Sequence, residues 1–517
     1  MTGSLCSGSR GTVAGERPRR YNESMSAAKK VTGTNEDGRT IETRIPARMD
    51  RLPWAGFHWK VLLGLGTVWI LDGLEVTLIG SVAARLVEPG SGLPITEGQI
   101  GLAASIYVFG ACLGALFFGR MTDIFGRKKL FMLTLAVYCV ATFATAFAVA
   151  PWMFFVARFF TGAGIGGEYA AINSAVDELI PAKYRGRVDI LINGTYWAGA
   201  CFGSFFALFF LDEAMFSTGL GWRLAFGVGA ALGIVIVFLR KSVPESPRWL
   251  FIHGREKEAE TIVGGIEERV VDSTGEELET PEQTLRIHQR GTIPFTEIAK
   301  TAFGKYPKRA LLGLALFVGQ AFLYNGITFN LGTLYEKYYG VSSSTVPLLM
   351  ALFAAVNFVG ALVLGPLFDT VGRKKMITGT YLGSALATVP LYFVFMHQTG
   401  GLWGFVVMLS LTFFIATAGA SAAYLTVSEI FPMETRALAI AFFYAVGTGL
   451  GGIIGPALFG QFVESGDRGL VGTGFLIAAA VMAVGGIAEL LFGVDAEGKS
   501  LEDTAAPISA GEEPAPA

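Results

Sequence analysis

The sequence predicts an all-α membrane protein in which twelve transmembrane helices form two pseudo-symmetric six-helix bundles. Three observations predict this fold: an apolar composition, twelve apolar segments arranged as six plus six, and an internal repeat. Of 517 residues, 52% are hydrophobic and only 16% are charged, whereas soluble globular domains carry about 25% charged residues. The chain therefore lacks the polar surface that water on all sides requires. Its 67 glycines suit the close helix packing of membrane bundles.

Twelve segments of the chain are long and apolar enough to be membrane spans, each of which needs about 20 residues. They begin near Trp59, Gly98, Leu130, Trp152, Val188, Gly221, Arg309, Thr345, Met376, Gly401, Ala437 and Leu470. The N-terminal bundle is predicted over residues 54–240 and the C-terminal bundle over 309–494, with a polar central loop over 241–308. Residues 1–53 and the acidic residues 495–517 are predicted to be disordered tails.

The charges of the short loops predict how the chain is oriented. The loops after spans two, four and eight are basic, whereas the intervening short loops carry mainly acidic residues. The basic loops contain Arg120, Arg127, Lys128, Lys129, Lys183, Arg185, Arg187, Arg373, Lys374 and Lys375. Positive charge in short loops marks the cytoplasmic side. Both termini are therefore expected in the cytoplasm, and the protein is expected in the plasma membrane.

Two sequence patterns occur once in each half of the chain. Gly-x-x-x-Asp-x-x-Gly-Arg-Lys-Lys begins at Gly119 and again at Gly365, and Glu-x-x-Pro-x-x-x-Arg begins at Glu178 and again at Glu429. Each pattern stands at the equivalent place of its half, so the halves are predicted to be structural copies. Two parallel six-span repeats predict a midplane site at their interface and alternating access by rocking of the halves.

These patterns, together with Pro244-Glu-Ser-Pro-Arg-Trp-Leu250, resemble the major facilitator superfamily and especially its sugar-porter-like branch. The resemblance covers about residues 55–495 and implies a transporter. The segment Gly164-Ile-Gly-Gly-Glu168-Tyr is similar to metabolite:proton symporters, and Asp72-Gly-Leu-Glu75 resembles the acidic first span of organic-acid carriers. Span seven departs from the sugar-porter pattern at Ala321, and span ten departs from it at Tyr424. The resemblance therefore favours uptake of an organic acid or related metabolite, with sugar as the alternative.

The acids of the first span are the expected proton-coupling residues. Asp72 and Glu75 share one helical face, and a charge deep in a bilayer costs about 2.5 kcal/mol or more unless it faces a partner or a cavity. Counted at 1.5 Å per residue, Arg158 of span four comes to roughly the depth of Glu75, and the resemblance implies the same pair. Protonation of Glu75 is expected to release Arg158, with Asp72 as the competing carrier. Glu168 fits a proton or substrate role and a gate-side charge equally well. A structural role is the alternative for all four residues.

The charges of the repeated patterns are expected to form a cytoplasmic gate. Single loop charges are usually solvated, but the duplication favours a salt-bridge network that holds the cytoplasmic side closed. The set is Asp123, Arg127, Glu178, Arg185, Asp369, Arg373, Glu429 and Arg436.

Polar and aromatic residues of spans five, seven and ten are the candidates for substrate binding, and Tyr196 adds stacking surface. The candidates are Asn193, Trp197, Gln320, Tyr324, Asn325, Asn330 and Tyr424. The alternative for each is ordinary hydrogen bonding between helices.

Three functions fit these observations: proton-driven transport, passive uniport, and a transport-inactive sensor. The sequence contains neither a Walker loop nor a His/Cys metal cluster, so an ATPase or a membrane enzyme is not expected. The expected partners are a small-molecule substrate, protons and the lipid bilayer, without a cofactor, a metal or nucleic acid. The protein is expected to function as a monomer.

Overall fold

The computed structural model describes residues 40–87, 90–212, 214–240, 244–281, 284–288, 300–342, 345–432 and 436–505. Twelve long helices within this part begin within three residues of the predicted span starts. The first six are α1 (Gly56–Val87), α2 (Glu97–Phe125), α3 (Arg127–Thr145), α4 (Pro151–Leu179), α5 (Arg185–Phe210) and α6 (Thr218–Arg240). The second six are α7 (Pro307–Thr328), α8 (Val346–Leu364), α9 (Arg373–His397), α10 (Gly401–Ile430), α11 (Arg436–Ser465) and α12 (Arg468–Phe492).

Shorter elements connect and flank the twelve helices. Strand β1 (Thr40–Thr43) pairs antiparallel with β2 (Leu285–His288), with Thr40 opposite His288. The other helices are Ile45–Asp50, Pro247–Ile252, Glu256–Thr274, Leu331–Tyr339, Leu367–Thr370 and Leu501–Thr504, and Lys300–Lys305 forms a π-helical turn. Among them, Glu256–Thr274 has 19 residues, as many as α3, but it carries many charged residues.

Ten of the long helices within the described residues are long and apolar enough to cross a membrane. The two that fall short, α4 and α5, carry charged and polar side chains in their interiors: Arg158, Glu168, Asp177, Asp189 and Asn193. All five are buried. Their polarity therefore faces the inside of the protein and not lipid, as intramembrane charges at functional sites do.

The inner ends of the predicted disordered tails are ordered, which corrects that prediction. In the helix Ile45–Asp50, Ile45 and Met49 are buried against the protein. Arg48 Nη2 lies 2.6 Å from Glu267 Oε2 of the helix Glu256–Thr274. This short helix, with its apolar face and basic neighbours, thus packs beside an acidic helix from a distant part of the chain. Composition alone does not show that these two segments meet. Residues 1–39 and 506–517 lie outside the described residues.

This attachment of the N-terminal segment depends on the ionised form of Glu267. Burial opposes that ionisation, but hydrogen bonds and charge attraction from Arg48 and Arg51 outweigh burial and lower the pKa of Glu267. A carboxyl with a lowered pKa stabilises the folded arrangement above its unfolded pKa and loses that contribution as pH falls through the folded pKa. The contact is therefore complete at neutral pH.

Small residues let helices of one bundle approach closely. A Cβ atom at Gly162 of α4 would fall on the carbonyl oxygen of Tyr107 in α2, and one at Gly166 would fall on the carbonyl oxygen of Ala111. A glycine also allows α1 to pack closely on α5, where a Cβ atom at Gly73 would meet the backbone of Tyr196. These contacts set the distance between the helices whose polar side chains form the site.

We predict that Gly166→Ala destabilises the protein, because overpacking in a filled interior costs about 1–3 kcal/mol. Gly227→Ala is the matched control, since a Cβ atom there has nothing within 4 Å and helical Ala is favoured over Gly by roughly 0.5–1 kcal/mol. Thermal unfolding in detergent measures both. Equal melting temperatures for the two variants would contradict the packing role of Gly166.

Candidate functional site

A cavity of about 150 Å³ lies between the two halves. Helices α1, α2, α4 and α5 of the first half and α7, α10 and α11 of the second contribute to its wall. Six of the seven predicted substrate-binding residues line it: Asn193, Trp197, Gln320, Tyr324, Asn325 and Tyr424. The seventh, Asn330, does not. It lies beyond the end of α7, where its Nδ2 donates to the carbonyl oxygens of Gly326 (2.9 Å) and Pro456 (3.4 Å), so its amide serves the backbone.

Nine of the twenty residues that line the cavity are aromatic. The indole of Trp69 stacks on the phenol of Tyr169 with centroids 4.4 Å apart and planes 5° from parallel. On the other side, Trp197 packs on Tyr324 at 5.5 Å. Rings offer flat apolar surface together with a polar edge. The wall therefore suits a flat molecule that also needs hydrogen bonds.

Four buried polar atoms on the cavity wall have no hydrogen-bond partner among the described residues: Trp69 Nε1, Asn193 Oδ1, Thr417 Oγ1 and Thr448 Oγ1. The amide of Asn193 is nevertheless fixed, because its Nδ2 donates to Asp189 O at 2.8 Å and to Asn173 Oδ1 at 3.1 Å. Buried polar groups are nearly always hydrogen-bonded. These four atoms therefore supply donors and acceptors for a polar ligand.

The predicted partners Glu75 and Arg158 form an ion pair. Arg158 Nη1 lies 2.5 Å from Glu75 Oε1, and each side chain is 1% exposed. Thr142 Oγ1 donates to the other carboxylate oxygen of Glu75 at 2.9 Å. Arg158 Nη2 donates to Thr145 Oγ1 at 2.7 Å, and its guanidinium lies 5.1 Å from the ring centroid of Phe226. The two charges thus compensate each other within the first bundle.

Asp72, one helical turn from Glu75, has different surroundings. Tyr107 Oη donates to Asp72 Oδ1 at 3.1 Å, and Tyr169 Oη donates to Asp72 Oδ2. Within the described residues, no arginine or lysine lies within salt-bridge distance of this carboxyl, although it is only 2% exposed. Both tyrosines line the cavity. Asp72 is therefore a buried acid that hydroxyl groups hold directly behind the cavity wall.

Glu168, the fourth predicted proton-coupling residue, lies apart from the cavity wall. Its Oε1 accepts a hydrogen bond from Thr134 Oγ1 at 3.3 Å, and its side chain is 2% exposed. The structure thus brings three of the four residues to the cavity or to the ion pair beside it, whereas Glu168 contacts Thr134 of α3.

The predicted gate residues lie together at one end of the bundles, here called the basic end and defined by Arg127, Arg185, Arg373 and Arg436. In the first half, Arg127 Nη2 lies 3.0 Å from Glu178 Oε1, and Arg436 Nη1 of the second half approaches the same oxygen at 3.9 Å. The second half repeats the arrangement. Arg373 Nε lies 3.0 Å from Glu429 Oε2, and Arg185 Nη1 of the first half lies 4.0 Å from Glu429 Oε1.

Asp369 adds a direct link between the halves at the basic end. Its Oδ1 lies 2.7 Å from Arg373 Nη1, and its two oxygens accept the backbone N–H groups of Gly186 (3.1 Å) and Arg187 (2.9 Å) at the start of α5. A carboxylate at a helix N-terminus is favoured by the exposed N–H groups there. The side chain of Asp123, its counterpart in the first half, lies outside what the structure describes.

Both repeated loops are capped by a carboxylate from a distant segment. Gly126 and Gly372 adopt φ of 94° and 111°, and the helix after each glycine begins with an arginine. Glu245 Oε1 accepts the N–H of Arg127 at 2.9 Å, and Glu497 Oε2 accepts the N–H of Arg373 at 3.4 Å. Burial raises the pKa of Glu245. The sequence analysis assigned neither glutamate to the site, although each follows the last span of its half.

Comparisons with known proteins agree with this architecture. The sequence profile of the family described as "Sugar (and other) transporter" matches residues 28–506. The chain belongs to this family.

Several known transporters are similar to this chain in sequence or in structure. The niacin transporter NiaP of Acinetobacter baylyi is 28% identical over 465 residues, which cover 88% of this chain and 98% of that protein. The arabinose-proton symporter of Bacillus subtilis is 26% identical, over 77% of this chain and 84% of its own. A structure of the proton:xylose symporter XylE superposes with a TM-score of 0.70 at 19% identity, over 86% of this chain and 98% of its own. The fold is thus the major facilitator fold, and the protein is an integral membrane transporter and not an enzyme.

Several aromatic residues of the site were not predicted from the sequence. Trp69, Tyr107, Tyr169 and Tyr444 line the cavity but were not among the candidates. A signal was available for two of them: Trp69 stands three residues before Asp72, on the same helical face, and Tyr169 directly follows Glu168 in the quoted glycine-rich segment. Tyr107 and Tyr444 come from apolar helices without a neighbouring charge to mark them.

We predict that Arg127→Ala and Asp123→Asn impair exchange between conformations while largely sparing equilibrium ligand binding. Removing Arg127 leaves the buried Glu178 carboxylate without its nearest cation, and such a loss costs about 3–5 kcal/mol in the state that needs the pair. Lys129→Ala is the control, because this neighbouring cation is exposed. Spin labels across the basic end measure the exchange. A variant that loses affinity yet exchanges normally would refute the gating assignment.

Proposed function

We propose that this protein is a proton-coupled secondary active transporter that takes up a small organic acid by alternating access. The observation that carries the proposal is the buried acid Asp72, which two tyrosines of the cavity wall hold beside the Glu75–Arg158 ion pair. Coupled transport needs an ionisable group whose charge state is linked to the ligand site. An acid in contact with the wall of a cavity that both halves share meets this need.

The surroundings of the two acids favour Asp72 as the group that takes up the proton. A nearby cation favours the ionised form of a carboxyl, whereas burial without one favours the neutral form. Glu75 has Arg158 at 2.5 Å, so its protonation would leave a buried arginine uncompensated. Asp72 has hydroxyl partners only, within the described residues. We therefore assign proton uptake to Asp72 and the joining of α1 to α4 to the Glu75–Arg158 pair.

The cavity supports a small, flat substrate with an acidic or carbonyl group. Its volume of about 150 Å³ is below the roughly 300–1,000 Å³ of pockets for drug-sized ligands. Its wall combines aromatic faces with the amides of Asn193, Gln320 and Asn325. An aromatic carboxylic acid matches both features, and one relative is named a niacin transporter. A pentose is the second candidate, because another relative is named an arabinose-proton symporter.

The basic end is proposed to be the cytoplasmic end, in line with the positive-inside rule. Both termini then lie in the cytoplasm, and the ion pairs between Glu178, Glu429 and the arginines of the opposite half close the cytoplasmic side. Opening that side requires these pairs to separate. A single chain contains both halves of the cavity wall, which supports function as a monomer.

For coupling, we predict that Asp72→Asn abolishes concentrative uptake driven by a pH gradient but still permits counterflow. Asparagine mimics the neutral acid, so the two conformations interconvert without a proton. The measurement is accumulation beside counterflow in one liposome preparation, with niacin and arabinose as probes. Glu75→Gln is compared in the same experiment, because the sequence alone predicts that this substitution uncouples transport.

The outcomes of this experiment separate the assignments. Concentrative uptake that survives Asp72→Asn but not Glu75→Gln moves the proton to Glu75. Normal accumulation by both variants would show that neither acid of α1 couples transport to protons. Glu168 is then the next candidate for the coupling residue. Wild-type transport that ignores the pH gradient identifies a uniporter, and the absence of any flux supports a sensor.

For substrate class, we expect niacin or benzoate to stabilise the purified protein against heat and glucose to have little effect. Trp197→Ala should weaken binding about tenfold or more, because a stacked ring contributes roughly 1.5 kcal/mol or more. Trp152→Ala is the control, since its ring is 65% exposed on the outer surface of α4. Saturable micromolar uptake of glucose in place of the acids would overturn the proposed class.

A further inference from the structure

Two tyrosines separate Asp72 from the cavity, and each uses a different oxygen of the carboxyl. Tyr107 comes from α2 and Tyr169 from α4, while Asp72 itself lies on α1. Asp72 is not part of the cavity wall, but both tyrosines are. Any change at the carboxyl therefore reaches the ligand site through these two hydroxyl groups.

The hydrogen bonds that the carboxyl makes depend on its protonation. An ionised carboxylate only accepts hydrogen bonds, whereas a protonated carboxyl carries one O–H donor. Ionised Asp72 satisfies both phenolic O–H groups. When it gains a proton, its new O–H needs an acceptor, and the acceptors in contact with it are the phenol oxygens. One tyrosine must then turn its own O–H away from Asp72, while its oxygen accepts the new bond.

The packing of the two rings indicates which tyrosine turns. The ring of Tyr169 stacks on Trp69 and meets Tyr424 and Tyr444 edge to face, with centroids at 6.0 and 5.0 Å. Tyr107 makes no ring-to-ring contact with the part of the chain that the structure describes. Tyr169 is thus held on three sides, and Tyr107 is the freer of the two.

We propose that Tyr107 is a substrate-binding residue whose contact depends on the proton: protonation of Asp72 turns the Tyr107 O–H into the cavity, where it donates to an anionic oxygen of the substrate. Tyr169 anchors Asp72 throughout. The phenol keeps its own proton, and the only proton gained is the one on Asp72. This inference rests on the proposed function and specifies how proton and substrate are bound together.

Other charged and titratable groups also face Asp72, and none of them makes the same contact. They come from its own helix, from α3, α4 and α5, and from the second half: Glu75, Tyr138, Glu168, Tyr196, Tyr424 and Tyr444. Glu75 is compensated by Arg158. The hydrogen bonds to the Asp72 carboxyl come from Tyr107 and Tyr169, so these two residues are the ones to substitute.

The first test needs no ligand. Infrared difference spectra of the protein in nanodiscs are recorded between about pH 6 and about pH 8, a range in which ordinary Asp and Glu side chains do not titrate. Wild type should show a carboxyl band that Asp72→Asn lacks, together with a tyrosine band that Tyr107→Phe lacks. Tyr444→Phe should keep both bands, because this residue also lines the cavity but makes no hydrogen bond to Asp72.

The second test is the Kd of niacin at the same two pH values. Wild type should bind about tenfold more tightly at the lower pH, as a hydrogen bond to a charged group allows. Tyr107→Phe should bind with little pH dependence, and Tyr444→Phe should retain it whatever its affinity. An Asp72 carboxyl band with an unchanged tyrosine band in Tyr107→Phe overturns this inference and leaves proton uptake by Asp72 intact. The absence of an Asp72-dependent carboxyl band refutes the proton assignment itself.

Discussion

The structure depends on one constraint: a charge inside the bilayer must have a partner. Removing two opposite charges from water is costly, and their attraction offsets the cost only when the geometry is good. The Glu75–Arg158 pair meets the requirement with a 2.5 Å contact and three threonine hydroxyls around it. Asp72 meets it through tyrosine hydroxyls alone within the described chain. The helices are therefore packed closely through glycine where these side chains meet.

The same constraint applies differently at the basic end. There each glutamate, Glu178 and Glu429, stands between an arginine of its own half and an arginine of the other. The contacts within a half are near 3.0 Å, and those between halves are near 4.0 Å. In the proposed opening of the gate, the contacts that separate are thus the longer ones. Each glutamate also has a pair within its own half, so the proposed opening leaves neither glutamate without a cation.

The sequence predicts the helices well and the contacts between distant segments poorly. Each membrane span is a continuous apolar segment, so local sequence predicts it. The duplicated patterns mark equivalent positions in the two halves, and the pairing of Arg127 with Glu178 follows from these patterns. The depth of Glu75 and Arg158 also predicts their meeting, because helix rise is constant. The capping of α9 by Glu497 and the docking of residues 45–50 do not follow, since each joins segments far apart in the chain. Asn330 was misplaced because α7 ends just before it.

Duplication explains why the site is divided between the halves. The basic end keeps the symmetry of the repeat, because each half places its glutamate between two arginines in the same way. The midplane does not: the buried acids and the arginine come from α1 and α4, whereas the second half supplies Gln320, Asn325 and aromatic rings to the cavity. In the proposed mechanism, a proton bound at Asp72 in one half and a ligand held by both halves influence each other across the cavity wall. Tyr107 and Tyr169 lie between the Asp72 carboxyl and the cavity, so the proposed link between proton and substrate is a rearrangement of hydrogen bonds.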